Sequence, residues 1–375
     1  MKGRSANRGL ELKTRRNEKE RGVCGGRLMS LPYELVVDIL GQLSRLDLIA
    51  LATVSKIHGV AAVCHNFRRW RYRKGSLEPY LYVLMHMDAD PRPRWFVLHP
   101  VQRRLKPVHS ILYPFPEAGS CFVVTDWGVY TIGGLVNGKP TSEVTFFDCI
   151  NHKVYHVPPM KMARSGASAS LVDDKIYVFG GAWDDGGADS SNWTEVLDIE
   201  TGTWELLSVS TPKMPLKIQQ SVVILEKKVY VVDEDGQHFS FTPSKGMLFL
   251  RYGTNKESNP KDLNDWVIFE TLFCRGTGGR ILWRFPCEPD WKEVKGLGEL
   301  GCDDIIKLCS YSDESIAIFW KPKARPQELW CAEISMTRQK EAGEAWEVLG
   351  YIEWSGAVLS HSDGLNLLHA ASIYA

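Results

Sequence analysis

Val129-Tyr130-Thr131-Ile132-Gly133-Gly134 and Lys175-Ile176-Tyr177-Val178-Phe179-Gly180-Gly181 are two versions of the same short apolar strand closed by a glycine pair. Tyr130 and Tyr177 stand 47 residues apart. The segments downstream of the two strands also match. After the first come Glu143 to Phe147, Lys153-Val154-Tyr155, Pro158-Pro159-Met160 and Arg164; after the second, Glu195-Val196-Leu197-Asp198 and Thr203-Trp204-Glu205. Tyr155 and Trp204 are 49 residues apart. A repeat in the high forties, built of four short period-two runs, reads as one blade of a β-propeller. The glycine pair admits close backbone approach and dihedrals closed to other residues. The Tyr or Trp near the fourth strand is expected to pack between blades, because one sheet alone has nothing to bury it.

Worn copies lie on either side. Lys228-Val229-Tyr230-Val231-Val232 repeats the strand, with Asp233-Glu234 in place of the glycines. Trp266 to Phe273 and Ile281 to Phe285 lead to Asp290-Trp291-Lys292, an echo of the Trp204 strand. Ile316 to Trp320, Glu328 to Ile334 and Ala345-Trp346-Glu347 form another. With the strand-like Tyr80 to Leu84 and Arg94 to Leu98, the count predicts about six four-stranded blades over residues 79–375. Leu365 to Tyr374 alternates with no further repeat after it, so it is expected to pair with the first blade and close the ring.

Composition agrees. Lys and Arg (45) balance Asp and Glu (45), so no global field favours nucleic acid or an anionic membrane. A hydrophobic content of 44% with 24% charge describes a folded globule. No apolar run approaches the ~18 residues that span a bilayer. The nine cysteines never fall in C-x-x-C spacing, which fits free thiols of the cytoplasm or nucleus and neither a zinc site nor a disulfide framework. Thirteen Trp, 13 Tyr and 32 Gly suit many short strands and turns.

The first 78 residues are different. Residues 1–27 carry nine Lys and Arg against three Glu, with few apolar residues and no hydrophobic leader core; they read as a disordered basic tail, or as an import or acidic-partner patch. Residues 28–75 are helical in period. Leu31-Pro32 opens a helix in which Leu35, Val36, Ile39, Leu40 and Leu43 make one stripe. A second helix is expected over Leu46 to Ser55, a third over Lys56 to Cys64, and then the basic aromatic run Phe67 to Arg73. So small a module is expected to lay its apolar face on something else.

Leu31-Pro32-Tyr33-Glu34-Leu35-Val36-Val37-Asp38-Ile39-Leu40, followed by Asp47-Leu48 and Val54-Ser55-Lys56, resembles an F-box. The Gly133-Gly134 and Gly180-Gly181 repeats, with Tyr130, Tyr177 and Trp204, resemble kelch repeats. Together they are similar to plant F-box/kelch-repeat proteins. Further marks of that group are Pro93-Arg94-Trp95-Phe96, Trp291-Lys292-Glu293-Val294-Lys295-Gly296-Leu297 and Leu329-Trp330-Cys331-Ala332-Glu333-Ile334. The resemblance implies a small α-helical F-box module ahead of a kelch-type propeller, acting as substrate receptor of a Skp–cullin–F-box ubiquitin ligase. It places Leu31, Pro32, Leu35, Val36, Ile39, Leu40, Leu48, Leu51 and Val54 against the Skp adaptor, with cullin reached through it. His58-Gly59 replaces the usual aromatic-Arg pair and weakens the third helix. The other reading is a propeller scaffold whose degenerate F-box assembles no ligase.

By the same analogy an unidentified target protein would contact loops carrying Arg164, Trp183, Asn192, Lys217, Gln219 and Arg275. Each could equally serve blade packing. The acidic stretch Ala182 to Asn192 lacks the spacing of a calcium loop and reads as a solvated loop. No P-loop, H-E-x-x-H or G-x-S-x-G occurs, and Gly276-Thr277-Gly278-Gly279 reads as a hairpin turn. The Cys–Tyr–His copper chemistry of some kelch oxidases would need a spatial cluster. No cofactor and no catalytic residue is expected. Asn192-Trp193-Thr194 fits a glycosylation sequon that would stay unmodified without secretion.

Overall fold

Period-two stretches separated by turn residues become strands from Pro79 onward, and the period-3.6 stretches before them become helices. The computed structural model describes residues 31–54, 65–88, 90–108, 115–181, 193–207, 218–224, 227–233, 238–243, 247–251, 267–268, 271–285, 288, 290–340, 345–360 and 364–375. It divides into two units between Ser76 and Leu77.

The helical unit contains α1 (Tyr33–Gly41), α2 (Arg45–Val54) and α3 (His65–Arg73). Pro32 caps α1 with φ −52°, and Val36 N–H donates to its carbonyl at 3.1 Å. At the head of α2, Ser44 Oγ accepts from Asp47 N–H (3.1 Å) and donates to Asp47 Oδ2 (2.7 Å). The expected helix over Lys56 to Cys64, with His58-Gly59, lies outside the described residues. The run Phe67 to Arg73, read only as basic and aromatic, proves to be helix α3. Its Phe67 joins Leu40 and Leu48 as the buried core, with Val36, Val37, Leu43 and Leu51 packed around them. Trp70 lies on Gly41, where a Cβ would come within 1.7 Å of the indole, so α1 and α3 approach only because residue 41 has no side chain. Arg71 ties the unit together, donating to Leu43 O (3.0 Å) and Ser76 O (2.6 Å).

Among the described residues the second unit contains six four-stranded antiparallel sheets and one small hairpin. Blade one holds β1 (Pro79–Met87), β2 (Asp90–Leu98) and β3 (Leu105–Pro107). Blade two has β4 (Cys121–Val124), β5 (Gly128–Ile132), then the hairpin β6 (Leu135–Val136) and β7 (Lys139–Pro140), then β8 (Val144–Asp148) and β9 (Lys153–Val157). Blade three is β10 (Ser168–Val172), β11 (Lys175–Phe179), β12 (Thr194–Asp198) and β13 (Thr203–Leu207). Blade four is β14 (Ile218–Ile224), β15 (Lys228–Asp233), β16 (His238–Thr242) and β17 (Met247–Arg251). Blade five is β18 (Val267–Ile268), β19 (Leu272–Arg275), β20 (Ile281–Arg284) and β21 (Lys292–Glu293). Blade six is β22 (Ile305–Ser310), β23 (Ser315–Trp320), β24 (Glu328–Gln339) and β25 (Glu347–Ser360).

The last strand, β26 (Leu365–Tyr374), becomes the inner strand of blade one, pairing from Pro79↔Tyr374 to Met87↔Leu365. First strands then stand side by side in the order β26, β4, β10, β14, β18, β22 and back to β26, so the ring closes. One local expectation changes: the run Trp266 to Phe273 contains a tight hairpin, because Val267 pairs with Phe273 and Ile268 with Leu272. The core lies between blades. Tyr130 and Ile132 of one sheet, with Met160 of the loop that follows it, pack with Ile176, Val178 and Trp204 of the next. Trp204 behaves as expected, buried and donating Nε1–H to Pro158 O at 2.7 Å across the junction. Its counterpart Tyr155 does not; it stands 46% exposed on the outer strand of blade two.

Candidate functional site

The amphipathic α1 cannot bury both sides of its stripe in a unit this small. Leu40 turns inward, as does Leu48 of α2, each 3% exposed. Leu31, Leu35 and Ile39, four residues apart along one face, stay outside at 38%, 49% and 39%, beside an exposed Pro32. Leu40 and Leu48, expected on the docking face, lie in the unit's own core with Phe67. Val36 and Leu51 are half-buried against that core, and the side chain of Val54 lies outside the described residues. The sequence reading missed Ile49, 49% exposed on α2. One helical step of 100° separates it from Leu48, and packing against α1 and α3 decides which of the two faces the core.

On the propeller, Arg164 was expected at a target-binding loop and is instead buried. Its Nε donates to Glu195 Oε1 at 3.0 Å, and its Nη1 to Gly180 O (2.6 Å) and Trp193 O (3.1 Å). Glu195, equally buried, also accepts from the N–H groups of Lys161 and Met162. Arg164 O accepts from Gly134 N–H and would sit 2.5 Å from a Cβ on Gly133, whose φ is +60°. The double glycine thus makes room for a buried ion pair that joins blades two and three. Burial lowers the Arg164 pKa while Glu195 raises it. Arg275 is likewise structural, donating Nη1–H from β19 to Ile305 O and Ile306 O of the next blade, each at 2.8 Å. Gln219 lies on β14, its side chain outside the described residues; Trp183, Asn192 and Lys217 lie wholly outside them.

Burial pushes the Cys121 and Cys302 thiols up to about 12 and raises those of Cys274 and Cys331 as well. Among the described residues no three His, Cys, Asp or Glu gather as a metal site, and no helix is long and apolar enough to cross a membrane. Gly276 to Gly279 form the expected tight turn. Arg280 folds back onto Thr277 O and Oγ1, each at 2.9 Å.

Residues 95–359 match the family model described as the FKB95 kelch-repeats domain. An F-box/kelch-repeat protein of Arabidopsis thaliana is 31% identical over 359 residues, covering 92% of this chain and 88% of the relative. The chain belongs to the F-box/kelch-repeat family. Two more Arabidopsis F-box/kelch-repeat proteins are 27% and 28% identical, with 92% and 89% of this chain covered and 92% and 89% of the relatives. The kelch match omits both β1 and β26, so the strand pair that closes the kelch ring falls outside the recognisable repeat. Several kelch marks are packing residues. Trp95 stacks on Phe147 of blade two with centroids 4.8 Å apart, and Trp330 lies 5.9 Å from Trp320 within blade six. What the F-box leaves facing outward is the apolar row on α1.

Proposed function

We propose that this chain is the substrate-recognition subunit of a Skp–cullin–F-box ubiquitin ligase, acting in the cytoplasm or nucleus. The helical unit docks on the Skp adaptor through Leu31, Pro32, Leu35, Ile39 and Ile49, and the propeller holds a target protein. The observation that carries this reading is the exposed row Leu31, Leu35, Ile39 on a unit whose described residues bury Leu40, Leu48 and Phe67 as its core. A folded module that keeps aliphatic side chains in water gains by covering them, at ~25 cal/mol per Å² of apolar surface. Catalysis by the complex is then proximity: target lysines are raised in effective concentration near ubiquitin carried by another subunit. No group of this chain makes or breaks a bond in that scheme. The raised thiol pKa values of Cys121 and Cys302 support it. Co-purification of adaptor and cullin with the full chain, but not with a Leu31→Ala, Leu35→Ala, Ile39→Ala variant, tests the proposal. Absence of cullin from both would favour a scaffold outside any ligase.

A further inference from the structure

Blades five and six meet at their outer strands in an unusual way. Lys295, just past β21, donates its N–H to Val348 O (3.0 Å) and accepts from Gly350 N–H (2.8 Å), a single parallel bridge onto β25. Gly296 makes the approach possible: its φ is +88° and a Cβ there would lie 2.8 Å from Gly350 O. That bridge is isolated, so β21 itself is not paired with β25, and a cavity of about 860 Å³ lined by residues before and after Lys295 opens at this fork. Its floor includes the buried Trp283, Val294 and Leu300, and the half-exposed Trp346 lines it as well.

Among the described residues the fork has an open strand edge. Val294 N–H donates inward to Ile281 O on β20 (2.9 Å), whereas Lys295 points outward to β25. Backbone polarity alternates along an extended chain, so Glu293, which lines the cavity, presents its N–H and C=O outward, as Lys295 does. The rim has no net charge: Arg280, Lys292 and Lys295 stand against Glu293, Asp303 and Glu347. These charges are held in surface pairs, among them Arg280–Glu293 at 3.5 Å and Lys295–Glu347, which are easily re-partnered.

We propose that this fork captures an extended segment of the target protein, one without net charge and with an aromatic or aliphatic anchor. The segment adds a short strand to the outer edge of β21 and packs its anchor beside Trp346 over the apolar floor. This deepens the receptor reading and rests on it. Main-chain pairing supplies the register, the floor selects the anchor, and the balanced rim disfavours strongly acidic or basic segments. The cavity is of the size that ligand sites commonly have. It also gives a role to Trp291 to Leu297, a motif that blade packing explains only in part.

The test is selection of short linear peptides from a phage-displayed library on the full chain, followed by affinity measurement of the synthesised winners. Winners should carry an apolar anchor and little net charge. Trp346→Ala should weaken them about tenfold or more. Glu293→Pro removes the outward N–H along with the side chain and should cost about fivefold, whereas Glu293→Ala, which removes the side chain alone, should leave binding within twofold. Should Glu293→Pro fail to melt like wild type, hydrogen exchange at Glu293 in the wild-type chain replaces it, with about tenfold slowing expected on peptide addition. No winners, winners indifferent to Trp346→Ala and Glu293→Pro, or unchanged exchange would each overturn the fork. Adaptor capture is measured in parallel: its loss in wild type overturns the receptor reading alone, and its persistence alongside failed peptide binding overturns the fork alone.

Discussion

Replacing Leu31, Leu35 and Ile39 together by alanine is expected to uncouple the chain from its adaptor without unfolding it. A fully buried Leu or Ile side chain contributes about 1.5–3 kcal/mol, and these three still show between 38% and 49% of their surface to water. Covering what remains is therefore worth roughly 2–4 kcal/mol in all, which converts to about 30- to 700-fold in affinity. The assay is calorimetric or surface-based titration of a purified Skp-type adaptor against wild type and the triple variant. Circular dichroism and a melt show that both remain folded. Leu40→Ala is the contrasting control. Leu40 belongs to the unit's own core, so its truncation should cost about 2–5 kcal/mol of local stability and weaken docking only by loosening the helices. A triple variant that binds within threefold of wild type, with an unchanged melt, would refute the argument. The exposed row would then be incidental surface.

Removing Leu365 to Ala375 strips blade one of its inner strand and should lower the melting temperature steeply or abolish folding of the propeller; an unchanged melt would contradict closure by β26. Arg164→Ala leaves the Glu195 carboxylate buried without its cation and should destabilise by about 3–5 kcal/mol, roughly 10 °C in a thermal scan. Adding Glu195→Ala should recover part of that loss; strictly additive losses would count against a coupled pair. Gly41→Ala drives a methyl group into the Trp70 ring and should cost the helical unit about 1–3 kcal/mol, read as faster proteolysis between residues 31 and 76 of the full chain. His369 is kept neutral by burial, with Lys307 adding repulsion, and its Nε2 is shut off from water. Its folded pKa lies well below 6.5, so the unfolded chain takes up the proton first. Propeller stability should hold above pH 6.5 and decline below it, until the folded state also titrates, by up to about 1.4 kcal/mol per pH unit. His369→Phe should flatten that decline; an identical pH profile would exclude the residue as its source.

Much of this was legible because the signals are periodic and local. The 47-residue spacing of Tyr130 and Tyr177 reports one blade repeated, since each sheet must meet the same neighbour in the same way. The F-box stripe is legible for the same reason: spacings of three and four place Leu35, Ile39 and Leu40 near one helix face without reference to any partner. Blade five was harder to read. Its first strand is two residues long, and a hairpin of that size leaves almost no alternation to detect.

The sequence by itself determined the change from helical to period-two pattern near Pro79, the repetition of the sheets, and the pairing of the last alternating run with the first blade. It could not say which member of an apolar pair faces in. Leu48 and Ile49 differ by one step on α2, and burial went to the one that meets α1 and α3. Nor could it separate a binding arginine from a structural one. Arg164 has the composition of an interface anchor, but the partners that neutralise and cover it come from residues 161–195, brought together only when two blades pack. Periodicity is a property of neighbours along the chain, whereas burial, pairing and the fork between β21 and β25 depend on contacts between segments far apart in sequence. Those contacts exist only once the helices and the blades have packed.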